Sequence, residues 1–438
     1  MNNTINDINK NINQDKKFVV KKSMNLRGRV YIDGSKNACL PIIASSILFS
    51  GEDITINRVP FLSDVLIMCE LLEELGVNIT KDEEHKQVKI NTKNIKNKEV
   101  SYELVKKIRA SFLLAGPLLS RFKKAVIQMP GGCPIGVRPI DLHLKGFKLL
   151  GATIKQEHGV ITMEAKEGLK GAEIYLDFPS VGATENLIMA GVLAEGTTII
   201  SNCAIEPEIV DLIEFLINLG AKIEGAGTET IIIHGVEELK NFNYKHEVIP
   251  DRIEAGTFLV LGAVTKSEIE VCDINKEHLK PIISKLREIN IELEEKETSI
   301  KVLNNNLDDN FKNVDIKTMP YPGFPTDMQP QFMTLLCISD GTGVVNETIF
   351  ENRFMHISEL CLMGANIKIK SNTAIVKGVD KLTGAKVKAT DLRAGAGLII
   401  GGLVAEGKTE ISDIYHIERG YYKIEDKLKE LGANIYKI

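Results

Sequence analysis

The sequence predicts an α/β protein assembled from six strand–helix–strand repeats, grouped as two lobes of three. Two observations predict it. The pattern apolar-x-x-apolar-Gly-apolar-x-apolar recurs along the 438-residue chain at intervals of about 70 residues. A polar stretch without periodicity, Glu238 to Pro250, lies between the third and fourth copies.

The copies run Leu72 to Ile79, Phe147 to Ile154, Leu216 to Ile223, Leu286 to Leu293, Leu360 to Ile367 and Leu428 to Ile435. Each reads as an amphipathic helix that ends on a left-handed residue and turns at once into a strand. Gly76, Gly151, Gly220, Gly364 and Gly432 fill the left-handed position, and Asn290, the next best residue for that conformation, fills the sixth. Strand entries follow Gly51, Gly196, Gly341 and Gly407. A unit of this length exceeds solenoid repeats, and three of them make a lobe of about 200 residues, an ordinary domain size. Two lobes imply a cleft, a favoured place for ligands. The run from Ala38 to Phe49 is the most apolar, with two serines and a proline in it.

Composition narrows the class. The chain is 44% hydrophobic and 26% charged with a net charge of −5, which fits a soluble globular protein and argues against a nucleic-acid partner. Cysteines at 39, 69, 133, 203, 272, 337 and 361 form no CxxC pair and no metal-ligand spacing, as in a reducing cytoplasm. No apolar run approaches the roughly 20 residues of a membrane span. Residues 1–16, rich in Asn and Lys, read as a disordered polar extension rather than a signal peptide.

Several segments break the repeat. Pro130-Gly-Gly-Cys133-Pro-Ile-Gly-Val-Arg138-Pro139 suits neither a helix interior nor a central strand; it is either a tight turn with a small cysteine or a mobile loop presenting a thiol and a guanidinium. Gly34-Ser35-Lys36-Asn37 opens a helix, as an N-cap or an anion seat. Pro179-Ser180-Val181-Gly182 offers the same pair of readings, and Arg109 leads into another apolar run. Pro320 to Pro325 forms a rigid loop that delivers Asp327, either as a helix cap or as a functional acid. Arg353, Arg393 and Arg419 stand at the edges of repeat elements, where single arginines are usually solvated. Taken together, six cations (Lys36, Arg109, Arg138, Arg353, Arg393 and Arg419), one acid and one thiol point to small, highly anionic substrates such as phosphorylated carboxylates.

Pro130 to Pro139, Gly34-Ser-Lys-Asn, Phe324-Pro-Thr-Asp-Met-Gln, Phe350-Glu-Asn-Arg-Phe-Met-His and Asp391-Leu-Arg-Ala resemble the enolpyruvyl transferase family, over Phe18 to Ile438. The resemblance implies an inside-out α/β barrel whose first lobe spans 36–247 and carries the Cys133 loop. The second lobe is built from 17–35 and 248–438. It further implies transfer of the enolpyruvyl group of phosphoenolpyruvate to the 3-hydroxyl of UDP-N-acetylglucosamine with release of phosphate, the first committed step of peptidoglycan synthesis. Cys133 is then the loop acid and the thiol that epoxides such as fosfomycin alkylate, and Asp327 the base on the 3-hydroxyl. Lys36, Arg138 and Arg419 resemble the phosphate-binding set, and Arg353 and Arg393 the carboxylate clamp. Asn37, Arg109 and Ile349 would contact the sugar. Arg138, Pro139, Ile140, Asp141 and Leu142, with Ser180, Val181 and Gly182, would hold the uridine and diphosphate. Phe178 stands where the family often has Lys, so no cationic contact is carried over there. Neither a metal nor an organic cofactor is implied, and the expected assembly is a monomer or weak oligomer.

Two rivals stand beside this reading. The sister synthase acting on shikimate 3-phosphate shares fold and donor but lacks such a cysteine loop. A sugar-nucleotide sensor would not need the thiol and every cation in place.

Overall fold

The computed structural model describes residues 16–51, 53–97, 101–129, 135–136, 139–240, 244–303 and 311–438. Residues 1–15 of the expected 1–16 extension, and the residues Cys133 and Arg138, lie outside them. The chain divides into two compact units. Among described residues the first holds 34–129 and 139–249, the second 16–33, 135–136 and 250–438.

The repeat is visible as six sheets, five of four strands and one of three among the described residues. In the third repeat, Thr197–Ser201 pairs in parallel with Glu173–Tyr175 (Ile199 opposite Glu173) and antiparallel with Thr230–His234 (Thr197 opposite His234). Lys222–Glu224 then closes the edge of that sheet. The same order recurs in the other four-stranded sheets, with strands borrowed at three of them. Lys245–Glu247 returns to pair with Ile54–Asn57 of the first repeat. Arg27–Tyr31 pairs with Glu268–Cys272 of the fourth. In the last repeat Phe18–Lys21 takes the inner place between Lys408–Ser412 and Ile435–Lys437.

The left-handed residues sit where the pattern predicts. Gly76, Gly151, Gly220, Asn290, Gly364 and Gly432 have φ of +89°, +95°, +107°, +71°, +93° and +94°. Strand entry uses the same device at Gly196, Gly341 and Gly407, but in the second and fourth repeats Lys123 and Lys266 adopt φ of +60° and +50°. Those two turns carry no glycine to mark them in sequence.

Each repeat contributes two helices with different surroundings. In the second unit Arg252–Val264, Gln329–Cys337 and Leu392–Val404 are buried almost all round and pack on one another. Such helices carry apolar or small residues on every face, which only a unit's centre accommodates. A Cβ on Gly397 would stand 3.0 Å from the Pro330 carbonyl oxygen, so glycine lets two of them meet. In the first unit Lys36–Ser45, Ala115–Phe122 and Val181–Gly191 occupy the equivalent places. The other helix of each repeat is one-sided: Lys280–Glu288 buries only Ile282, Ile283 and Leu286. The strands alternate in the same sense, as Thr342–Asn346 shows with Gly343 and Val345 turned inward. Helices therefore fill the middle of each unit and sheets form its outside. Among the described residues no helix is long and apolar enough to cross a membrane.

Candidate active site

In the second unit, four segments from the last two repeats converge. Pro325 ends the proline-rich loop, and Asp327 follows in the short turn Thr326–Met328 that enters the buried helix Gln329–Cys337. Asp327 does not cap that helix. Its carboxylate instead accepts from Arg353 Nη2 at 3.2 Å and from Arg393 Nε at 3.1 Å. Both arginines are only 2% exposed, which removes the solvated reading for this pair. Arg353 Nε and Arg393 Nη1 meet no acceptor among the described residues. Two guanidiniums against one carboxylate, with N–H groups unspent, form a seat for a further anion.

Arg393 is fixed from several sides. Asp391 accepts from the amides of Arg393 and Ala394 and so caps Leu392–Val404. The Tyr421 ring lies 5.2 Å from the guanidinium carbon, and Tyr421 Oη is bonded to Thr257 Oγ1 (2.9 Å) and Gln331 Nε2 (3.1 Å). Burial opposes the Arg393 charge, yet Tyr421, Asp327 and Asp251 outweigh it and hold its pKa above the ordinary guanidinium value. Gly420 allows the 418–421 turn to reach this group, since a Cβ there would meet Leu392 Cδ1 at 2.4 Å. Arg419, partly exposed, belongs to the same turn. His356 is buried, its Nδ1 3.1 Å from the Arg353 carbonyl oxygen, and burial together with Arg353 pushes its pKa down to about 4 against the pull of Asp391. Ile349 precedes Arg353 on a partly exposed segment. Ile135 joins that stretch, accepting from the Asn352 amide at 3.0 Å.

In the first unit the expected residues stand mostly at helix starts. Ser35 caps Lys36–Ser45 and Ser180 caps Val181–Gly191, each accepting from an amide three residues on at 3.4 Å. Lys36 is buried and its Nζ lies 3.4 Å from Asp64 Oδ2, while Asn37 is exposed. Pro139 and Asp141 are exposed, Ile140 and Leu142 partly so, and Asp141 begins the helix Asp141–Leu149. Phe178 is 45% exposed.

What sequence reasoning missed here is the pair that ties these segments together. Asn186, fully buried, accepts from the Gly116 amide at 2.8 Å and donates from Nδ2 to the Phe112 carbonyl and to His143 Nδ1, both at 3.0 Å. That orientation requires His143 Nδ1 to be an acceptor, so Nε2 carries the proton. Burial first, and Arg109 second, push His143 down to about 3, which keeps it neutral. Its ring packs edge-on against Phe112 at 5.1 Å. The segments beginning at Arg109, Asp141 and Ser180 thus share one neutral hub.

The chain is similar to known proteins over nearly its whole length. The family described as EPSP synthase (3-phosphoshikimate 1-carboxyvinyltransferase) matches residues 20–428. A UDP-N-acetylglucosamine 1-carboxyvinyltransferase 1 of Caldanaerobacter subterraneus subsp. tengcongensis is 54% identical over 421 residues, covering 96% of this chain and 99% of the relative. One from Finegoldia magna is 53% identical with 96% and 98% coverage. Among solved structures, the enolpyruvyl transferase NikO from Streptomyces tendae superposes with a TM-score of 0.87 at 23% identity, covering 96% and 98% of the chains. An EPSP synthase from Acinetobacter baumannii gives 0.75 at 16% identity, with 97% and 100% coverage. These likenesses identify the fold as the two-lobed inside-out α/β barrel, and the chain belongs to the enolpyruvyl transferase family of EPSP synthase.

Proposed function

We propose that this chain transfers the enolpyruvyl group of phosphoenolpyruvate to the 3-hydroxyl of UDP-N-acetylglucosamine, releasing phosphate, at the first committed step of peptidoglycan synthesis. Full-length identity above one half to relatives named for that reaction supports the acceptor. The observation that carries the chemistry is Asp327 held between two buried arginines with N–H groups to spare.

Arg353 and Arg393 take the carboxylate of phosphoenolpyruvate, and Lys36, Arg138 and Arg419 its phosphate. Asn37, Arg109 and Ile349 contact the sugar. Residues 138–142 and 180–182 hold the nucleotide, with the amides at the start of Val181–Gly191 suited to a diphosphate. In the addition step the sugar 3-oxygen bonds to C2 of phosphoenolpyruvate as its proton passes to Asp327. Cys133 delivers a proton to the C3 methylene, which completes a tetrahedral phospholactoyl ether. Elimination removes a proton from the C3 methyl, breaks the bond between C2 and the phosphate oxygen and restores the double bond. The setting is cytoplasmic, and Cys133 is the thiol open to fosfomycin. Burial pushes the thiols of Cys39, Cys69 and Cys337 up, Cys69 to about 12.

Phosphate release from phosphoenolpyruvate, measured with UDP-N-acetylglucosamine and with shikimate 3-phosphate, tests this reading. Release that depends on the nucleotide sugar and is lost in Cys133→Ala is the expected result. Release with shikimate 3-phosphate instead moves the chain to the sister activity, and release with neither acceptor leaves a sensor.

A further inference from the structure

We propose that Glu347 is the positioning residue for Asp327, acting through Thr326 in a way that does not compete with substrate for the two arginines. The inference rests on the transferase reading above. Glu347 follows the strand Thr342–Asn346 and is 3% exposed. Its Oε1 accepts from Thr318 Oγ1 at 2.9 Å, from the Ile349 amide at 2.8 Å and from the Phe350 amide at 3.2 Å. Its Oε2 accepts from Thr326 Oγ1 at 2.9 Å. The Thr348 amide adds a bond to Thr318 Oγ1 at 2.9 Å.

A buried carboxylate is a costly way to fill space, and well-packed apolar side chains usually do that job more stably. What Glu347 supplies is direction. To the backbone bonds that already tie Thr318 to Asn346, it adds side-chain bonds joining three stretches: the strand end at Thr318, the turn bearing Asp327, and the segment of Ile349 and Phe350 that runs into Arg353. Asp327 is held in this structure by Arg353 and Arg393, the groups assigned to the substrate carboxylate. Once that carboxylate takes up the guanidiniums, their grip on Asp327 is shared. The Thr326–Glu347 bond is unaffected by which anion the arginines face, so it holds the turn when the proton moves. A base must lie within hydrogen-bond reach of its proton, and a displacement of about 1 Å costs on the order of 100-fold in rate.

The test is steady-state phosphate release by the full chain, with phosphoenolpyruvate and UDP-N-acetylglucosamine, in Thr326→Val and Thr326→Ser. Valine removes the hydroxyl and keeps the shape. Its kcat should fall by about 10- to 100-fold while the KM for phosphoenolpyruvate stays within about twofold, and serine should restore kcat to within about threefold of wild type. If the valine variant does not fold, Thr326→Ala gives the same readout. A merely structural bond would lower the melting temperature and leave the kcat of folded protein alone; that result, or a serine variant as slow as the valine one, overturns the assignment. Active wild type with an unimpaired valine variant sinks Glu347 alone, whereas an inactive wild type sinks the transferase reading as well.

Discussion

The two units gather their candidate binding groups in opposite ways. The second unit concentrates charge: two buried arginines, Arg353 and Arg393, pair with a partly exposed Asp327 and have N–H groups left over. The first unit suppresses charge at its hub. There a neutral His143 and the Asn186 amide align three segments, one of them the start of the helix Val181–Gly191. Each arrangement is vulnerable in its own way. An ionic cluster fails when one charge is removed, because the remainder is left buried and uncompensated. A neutral hub fails when its shape or hydrogen bonding is disturbed.

The largest expected break is Arg393→Met. It strips one arm of the proposed carboxylate seat and takes the Arg393 guanidinium from Asp327, so the KM for phosphoenolpyruvate should rise by about 100-fold or more. Binding of UDP-N-acetylglucosamine alone, followed by calorimetry, should stay within about threefold. Equal damage to both ligands would erase the distinction between the units.

Asn186→Ala is the converse experiment. It orphans the Gly116 amide and the Phe112 carbonyl in the interior, at a stability cost of about 2–4 kcal/mol. The KM for the nucleotide sugar should rise about tenfold with that for phosphoenolpyruvate little changed. Unaltered nucleotide-sugar kinetics would show that the hub orients nothing.

A smaller effect is common to both units. His143 and His356 have folded pKa values of about 3 and about 4, below the ordinary 6.5. The unfolded chain therefore binds protons between these limits that the native protein does not. Stability is full above pH 6.5 and declines as pH falls, by roughly 2 kcal/mol per histidine at pH 5. Urea unfolding followed against pH should show this slope, reduced by about half in His143→Gln. A flat profile from pH 7 to 5 would contradict the burial argument.

Much of the fold was legible because its repeat is written in backbone conformation. A left-handed residue between helix and strand demands Gly or Asn, and six copies at one spacing leave a readable trace. Lys123 and Lys266 escaped notice because their turns spend strain where the other repeats spend a glycine. The borrowed strands Phe18–Lys21 and Lys245–Glu247 pair with elements distant in sequence, and periodicity carries no information about such partners. At the site, Asp327, Arg353 and Arg393 stood out through unusual neighbours, but only as possibilities, since isolated arginines look alike whether buried or solvated. Glu347, Asn186 and Tyr421 left no trace: each acts through hydrogen bonds to segments far along the chain.

The central claim is that Asp327 is the base on the acceptor hydroxyl, and comparing wild type with Asp327→Asn tests it most directly. UDP-N-acetylglucosamine-dependent phosphate release should fall by about 100-fold or more, the scale of general-base catalysis, while phosphoenolpyruvate binds at least as tightly because its arginines lose a competing carboxylate. Turnover within about tenfold of wild type, or loss confined to phosphoenolpyruvate binding, would contradict it and leave Asp327 a structural partner of the two arginines.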